Sequence, residues 1–87
     1  MKHVLLWNFH GPNACPTAQH FEKHLRDFLA REHVRAQTAQ ISDHAGHAGI
    51  VCLCDALTAT RLEKALRPQG RCQEDEFIQA YSNTAWT

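Results

Sequence analysis

The chain has 87 residues, enough for one domain built on one hydrophobic core. An apolar share of 44% excludes a disordered chain, and nine basic against nine acidic residues argue against charge-driven binding to nucleic acid or membrane. No apolar run approaches the roughly 20 residues that span a bilayer, and the start lacks the features of a signal peptide, so a cytoplasmic protein is expected.

The first predicted element is a strand over His3-Val4-Leu5-Leu6-Trp7-Asn8-Phe9-His10. Apolar side chains fill both parities of this segment, as in a central strand covered on both faces. Gly11-Pro12-Asn13-Ala14-Cys15-Pro16-Thr17 reads as a loop, and a helix is expected to start near Pro16 or Thr17 and to end at Glu32 or His33. Ala18, Phe21, Leu25, Phe28 and Leu29 recur at the spacing of a buried helical stripe.

Val34 to Ile41 alternates weakly and reads as a polar edge strand, followed by a hairpin loop over 42–49. Ile50-Val51-Cys52-Leu53-Cys54 is the second continuously apolar run and the second candidate for a central strand. Thr58 is the expected N-cap of a second helix carrying Leu62, Ala65 and Leu66, which Pro68 and Gly70 terminate. Gln73-Glu74-Asp75-Glu76 then leads into a last strand, Phe77-Ile78-Gln79-Ala80-Tyr81, with the acidic run protecting its edge.

Strand, helix, strand, strand, helix, strand is the element order of an α+β, ferredoxin-like β-α-β-β-α-β domain, expected over 1–82 with a C-terminal tail at 83–87. That arrangement puts the first and third strands in the middle of a four-stranded antiparallel sheet, with two helices on one face. The two doubly apolar segments are those two strands. Two helices leave one apolar face uncovered, and such a patch marks an interface unless loops or the tail with Trp86 fold over it. With the parity that leaves Leu5, Trp7 and Phe9 on the open side, these three are the expected partner-binding residues. A homodimer or a complex with a protein partner follows, and nucleic acid is the less favoured partner.

No catalytic constellation is present: the chain has no glycine-rich phosphate loop, no G-x-S-x-G and no paired catalytic carboxylates. A non-enzymatic interaction or regulatory module without a cofactor is expected. Seven histidines are many for this length. His20 and His24, four apart, project from one side of the first helix as half of a metal site, with Asp27 on the same flank. His44 and His47 lie in the glycine-containing loop. Cys15, just before the helix, is the thiol placed where exposed amides stabilise a thiolate. Metal or thiol handling through Cys15 and the histidines is thus an alternative reading of the chain, without a complete metal site in the sequence. Cys52 and Cys54 share one face of an apolar strand and read as small buried hydrophobes, and Cys72 completes the four cysteines.

Val4-Leu5-Leu6-Trp7-Asn8-Phe9 resembles the first strand of the RNA-recognition motif, with Asn8 matching in place. That likeness implies base stacking on Trp7 and Phe9, although Gly49-Ile50-Val51-Cys52-Leu53 carries no aromatic residue. The position of Cys15 between strand and helix is similar to one metal-binding cysteine of heavy-metal-associated domains, with Ala18 where the second cysteine would stand. Small regulatory amino-acid-sensing domains resemble the chain in element order and length alone.

Overall fold

The computed structural model describes residues 2–41 and 46–80. Four strands and three helices follow one another as β1 (Lys2–His10), α1 (Ala14–Arg31), β2 (Gln37–Ile41), β3 (His47–Asp55), α2 (Ala56–Leu66), β4 (Gly70–Gln73) and α3 (Glu74–Ala80). The strands form one antiparallel sheet in the order β2-β3-β1-β4. β1 and β3 are central, in keeping with the apolar character of both parities of each.

β1 and β3 pair along their whole lengths, from Lys2 opposite Asp55 to His10 opposite His47. The hairpin expected over 42–49 is therefore shorter, because His47, Ala48 and Gly49 already belong to β3. The intervening residues 42–45 lie outside the described residues. Val34, Arg35 and Ala36 precede β2 rather than joining it.

α1 starts earlier than the prolines suggest. Asn13 occupies the cap position without a side-chain cap hydrogen bond, and Pro16 falls in the first turn, where its missing N–H would have had no intrahelical partner. Ala18, Leu25 and Leu29 form its buried stripe. At the far end, His33 has φ +55°, Val34 N donates to the Leu29 carbonyl at 3.0 Å and His33 N to the Ala30 carbonyl at 3.2 Å. These two bonds make the left-handed helix stop in which glycine is the usual residue.

α2 also begins sooner than expected. Its cap is Asp55, whose carboxylate accepts from the Thr58 backbone N–H at 2.8 Å, so Thr58 is the third helical residue and not the cap. The donated hydrogen bonds hold the Asp55 carboxyl below the usual carboxylate range.

The C-terminal region departs most from expectation. The fourth strand is Gly70–Gln73, and the segment read as a strand from Phe77 is helix α3. Glu74, Asp75 and Glu76 fill the first turn of α3, where negative charge interacts favourably with the helix dipole. Tyr81 and the tail at 83–87 lie outside the described residues.

α1 and α2 cover one face of the sheet, burying Leu5, Trp7, Ile50, Cys52 and Cys54 against Ala14, Ala18, Leu25, Leu29, Ala59 and Leu62. On the other face, Phe77 of α3 joins Val4, Ala39, Ile41, Val51 and Leu53 in a second core, with Leu6 and Cys72 beside it. Gly49 belongs to this second layer. A Cβ there would stand 3.0 Å from Ile41 Cγ1 and 3.3 Å from Leu6 Cδ1, so the missing side chain makes room for both.

Candidate functional site

The parity of β1 decides which side chains are available to a partner, and it is opposite to the one expected. Leu5 and Trp7 point under α1 and are buried, and Phe9 packs on the same cluster. Trp7 is 5% exposed, lies 5.1 Å from the Phe21 ring and donates its Nε1–H to the Leu66 carbonyl at 3.1 Å. Leu66 ends α2, so its carbonyl has no partner within the helix, and the indole supplies one. Leu5 and Trp7 are therefore core residues and not a docking surface, and Phe9 is half-buried against the same core. The same burial removes Trp7 as a platform for stacking bases.

Nor is the second sheet face bare. Val4 and Val51 on it are as buried as Leu5 on the first. The sole large apolar side chain standing out among the described residues is Leu57, 81% exposed at the start of α2. What remains of an opening is a cleft of about 350 Å³ between β4 and α3, lined by Val4, Leu6, Gly70, Cys72, Glu76 and Phe77. The Cys72 thiol at this cleft is pushed up first by burial and then by the Glu76 carboxylate, which makes it a poor nucleophile at neutral pH.

Cys15 lies exposed in the first turn of α1. Its Sγ accepts from the Gln40 side-chain amide at 3.1 Å and from that of Gln19 at 3.7 Å. Two glutamine amides, rather than a histidine base, are its hydrogen-bond partners. Cys52 and Cys54 are buried on the helix side of β3 as expected, and the hydrogen bond between the two thiols, reinforced by burial, pushes Cys52 far above the ordinary thiol range.

His20 and His24 come together as their spacing requires, with their Nε2 atoms 3.0 Å apart on the exposed side of α1. His47 is buried and its Nε2 pairs with Asn8 Oδ1 at 2.9 Å across the β1–β3 ladder, while its ring lies 5.0 Å from that of His10. His44 lies outside the described residues. Among the described residues no three histidine, cysteine or acidic side chains are grouped closely enough to enclose a metal ion.

The two edges of the sheet differ, a contrast that depends on where β4 stops and leaves no trace in the sequence. On the β4 side, four residues pair with His3 to Leu6 of β1, and the last residues of β1 pass beyond them. Gln69 fills part of that gap. Its backbone N donates to the Leu6 carbonyl at 2.8 Å, its side-chain Oε1 accepts from Asn8 N at 3.1 Å and its Nε2 reaches the Asn8 carbonyl at 3.5 Å. A side-chain amide thus stands in for a peptide unit of a longer strand. Arg71 of β4 is tied to Glu63 of α2 and donates to His3 Nδ1 at 3.3 Å, which fixes a charge on the same edge.

β2 forms the opposite edge. Its sequence, Gln37-Thr38-Ala39-Gln40-Ile41, contains no charged residue, no proline and no glycine. The strand is held from behind by a polar link to α1: Thr38 Oγ1 donates to Glu22 Oε2 at 3.0 Å, Arg26 Nε donates to Thr38 Oγ1 at 3.2 Å, and Arg26 pairs with Glu22 at 3.3 Å. That link uses side chains and leaves the outer rim of the strand uncharged.

No helix among the described residues is long and apolar enough to cross a membrane. No family model, no curated protein and no solved structure matches the chain.

Proposed function

We propose that the chain is a ferredoxin-like domain extended by α3, and that it works as a non-enzymatic interaction module assembled as a homodimer through β2. The sheet order β2-β3-β1-β4, with α1 and α2 on one face, supports the fold assignment. The uncharged β2 edge is the observation that carries the functional reading. Edge strands are normally blunted by charge, proline, bulges or brevity, because their free N–H and C=O groups pair with any strand that reaches them. The β4 edge carries a fixed arginine, whereas Gln37–Ile41 carries no charge and no proline.

A second copy is the occupant that fits. Antiparallel pairing of two β2 strands about Ala39 sets Thr38 against Gln40 of the partner subunit and Gln37 against Ile41 of the partner subunit, with no like charges opposed. The two-fold axis of an antiparallel pair stands perpendicular to the sheet, so both copies keep their helices on the same side. The two core layers then run continuously across the join, and strand addition of this kind draws its affinity from main-chain hydrogen bonds.

Sedimentation velocity tests the reading. Wild-type protein is expected to shift from monomer to dimer with rising concentration, and a Gln37→Lys, Gln40→Lys double variant to stay monomeric while keeping a cooperative thermal transition that, unlike wild type's, does not move with concentration. A wild-type monomer at millimolar concentration, with β2 amides exchanging as freely as those of a loop, overturns it.

A further inference from the structure

We infer that His20 and His24 form a two-imidazole chelate for a divalent transition ion of tetragonal preference, copper(II) or nickel(II). The pair stands one helical turn apart on α1, an 18-residue helix whose opposite side is fixed by Ala18, Leu25 and Leu29. Side chains four residues apart on a rigid helix need little ordering before a ligand arrives, which is the condition under which two weak donors act as one strong site.

The geometry selects among metals. The two Nε2 atoms are 3.0 Å apart, and the rings meet edge to face with centroids 4.5 Å apart. Imidazole nitrogens bind such ions at about 2.0–2.1 Å, so a common ion placed between these two atoms sees them at an angle of roughly 90–100°. That is the cis angle of square-planar and octahedral coordination and falls short of the tetrahedral angle that zinc prefers.

In the free protein one ring donates its Nε2–H to the lone pair of the other. Moving that proton to Nδ1 of the same ring frees both Nε2 lone pairs with no net proton release, and a turn of each exposed ring off the line of the hydrogen bond brings the lone pairs to a common ion. No third histidine, cysteine or carboxylate closes on the pair among the described residues, so the remaining coordination positions fall to water or an outside ligand. An open, exchangeable site follows, distinct from a closed structural one. It uses the solvent side of α1 and does not depend on the β2 pairing.

Calorimetric titration of the full chain with nickel(II), copper(II) and zinc(II) tests the assignment, alongside the copper(II) electron paramagnetic resonance spectrum. One equivalent of copper(II) is expected to show coupling to two imidazole nitrogens. His20→Gln and His24→Gln should each weaken nickel(II) and copper(II) binding by about tenfold or more, as loss of one arm of a chelate requires, while His33→Gln leaves both unchanged. Nickel(II) should bind at least as tightly as zinc(II). Because both histidines are exposed, the metal-free melting temperatures of the variants should match wild type, so a loss of binding reports on the site itself. Undiminished binding in either variant, or tighter binding of zinc(II) than of nickel(II), overturns the inference.

Discussion

Replacing Trp7 by alanine separates a core tryptophan from a docking one. The indole is 5% exposed, packs on Phe21 and donates to the carbonyl that ends α2. Emptying a site of this kind typically costs about 3–5 kcal/mol, and the orphaned Leu66 carbonyl adds about 1 kcal/mol. Domains of this size have a total stability of about 5–15 kcal/mol, so Trp7→Ala removes a large share of it. With a urea dependence of about 1 kcal/mol per molar for a small protein, the unfolding midpoint should fall by about 3 M or more. Trp7→Phe keeps an aromatic ring against Phe21 and loses the hydrogen bond and part of the volume, so a cost of about 1–2 kcal/mol is expected. Urea titrations followed by circular dichroism give both values. A midpoint shift under about 1 M for Trp7→Ala would refute the placement of this side chain beneath α1, and dissociation of a dimer without loss of stability would return it to the surface.

Gly49→Ala should destabilise by about 1–3 kcal/mol, because the new methyl meets Ile41 and Leu6 at close range inside the second core; an unchanged urea midpoint would mean that this layer is loosely packed. Asp55 supplies a pH-dependent contribution. Its carboxyl is held below the usual range by the hydrogen bonds it accepts at the start of α2, so the ionised cap stabilises the fold above the unfolded carboxyl value of about 3.9. That contribution is lost as pH falls through the lower folded value. Melting temperatures between pH 6 and pH 2.5 should show wild type ahead of Asp55→Asn at the upper end and the gap closing in acid. A gap that is constant across the range would contradict the charged cap.

The central strands were legible because burial on both faces leaves a direct trace: apolar residues at both parities of Val4 to Phe9 and of Ile50 to Cys54. The stripe of α1 was legible for the same reason at helical spacing. The facing of β1 was not. Val4 and Leu6 are as apolar as Leu5 and Trp7, and with both faces covered the composition of a strand does not record which cover is which. The last segment failed on a local ambiguity. Phe77-Ile78-Gln79-Ala80 is too short to show a period, and three acidic residues before it serve equally as an edge guard or as the first turn of a helix. The His20–His24 pair needed only helix periodicity and came out as expected, whereas the role of Gln69 has no sequence signature, since it depends on where β4 stops.

The Gln69 amide also bears on how far assembly can go. A sheet with two receptive rims adds copies at both ends, and nothing in its geometry tells it to stop. Here the Gln69 amide caps part of β1 where it runs past β4, and Arg71 fixes a charge on β4 itself, so this rim is less receptive to an added strand than β2. If β2 pairs as proposed, growth by strand addition would favour a closed pair, with the short fourth strand and the Gln69 amide beside it weighing against a fibre.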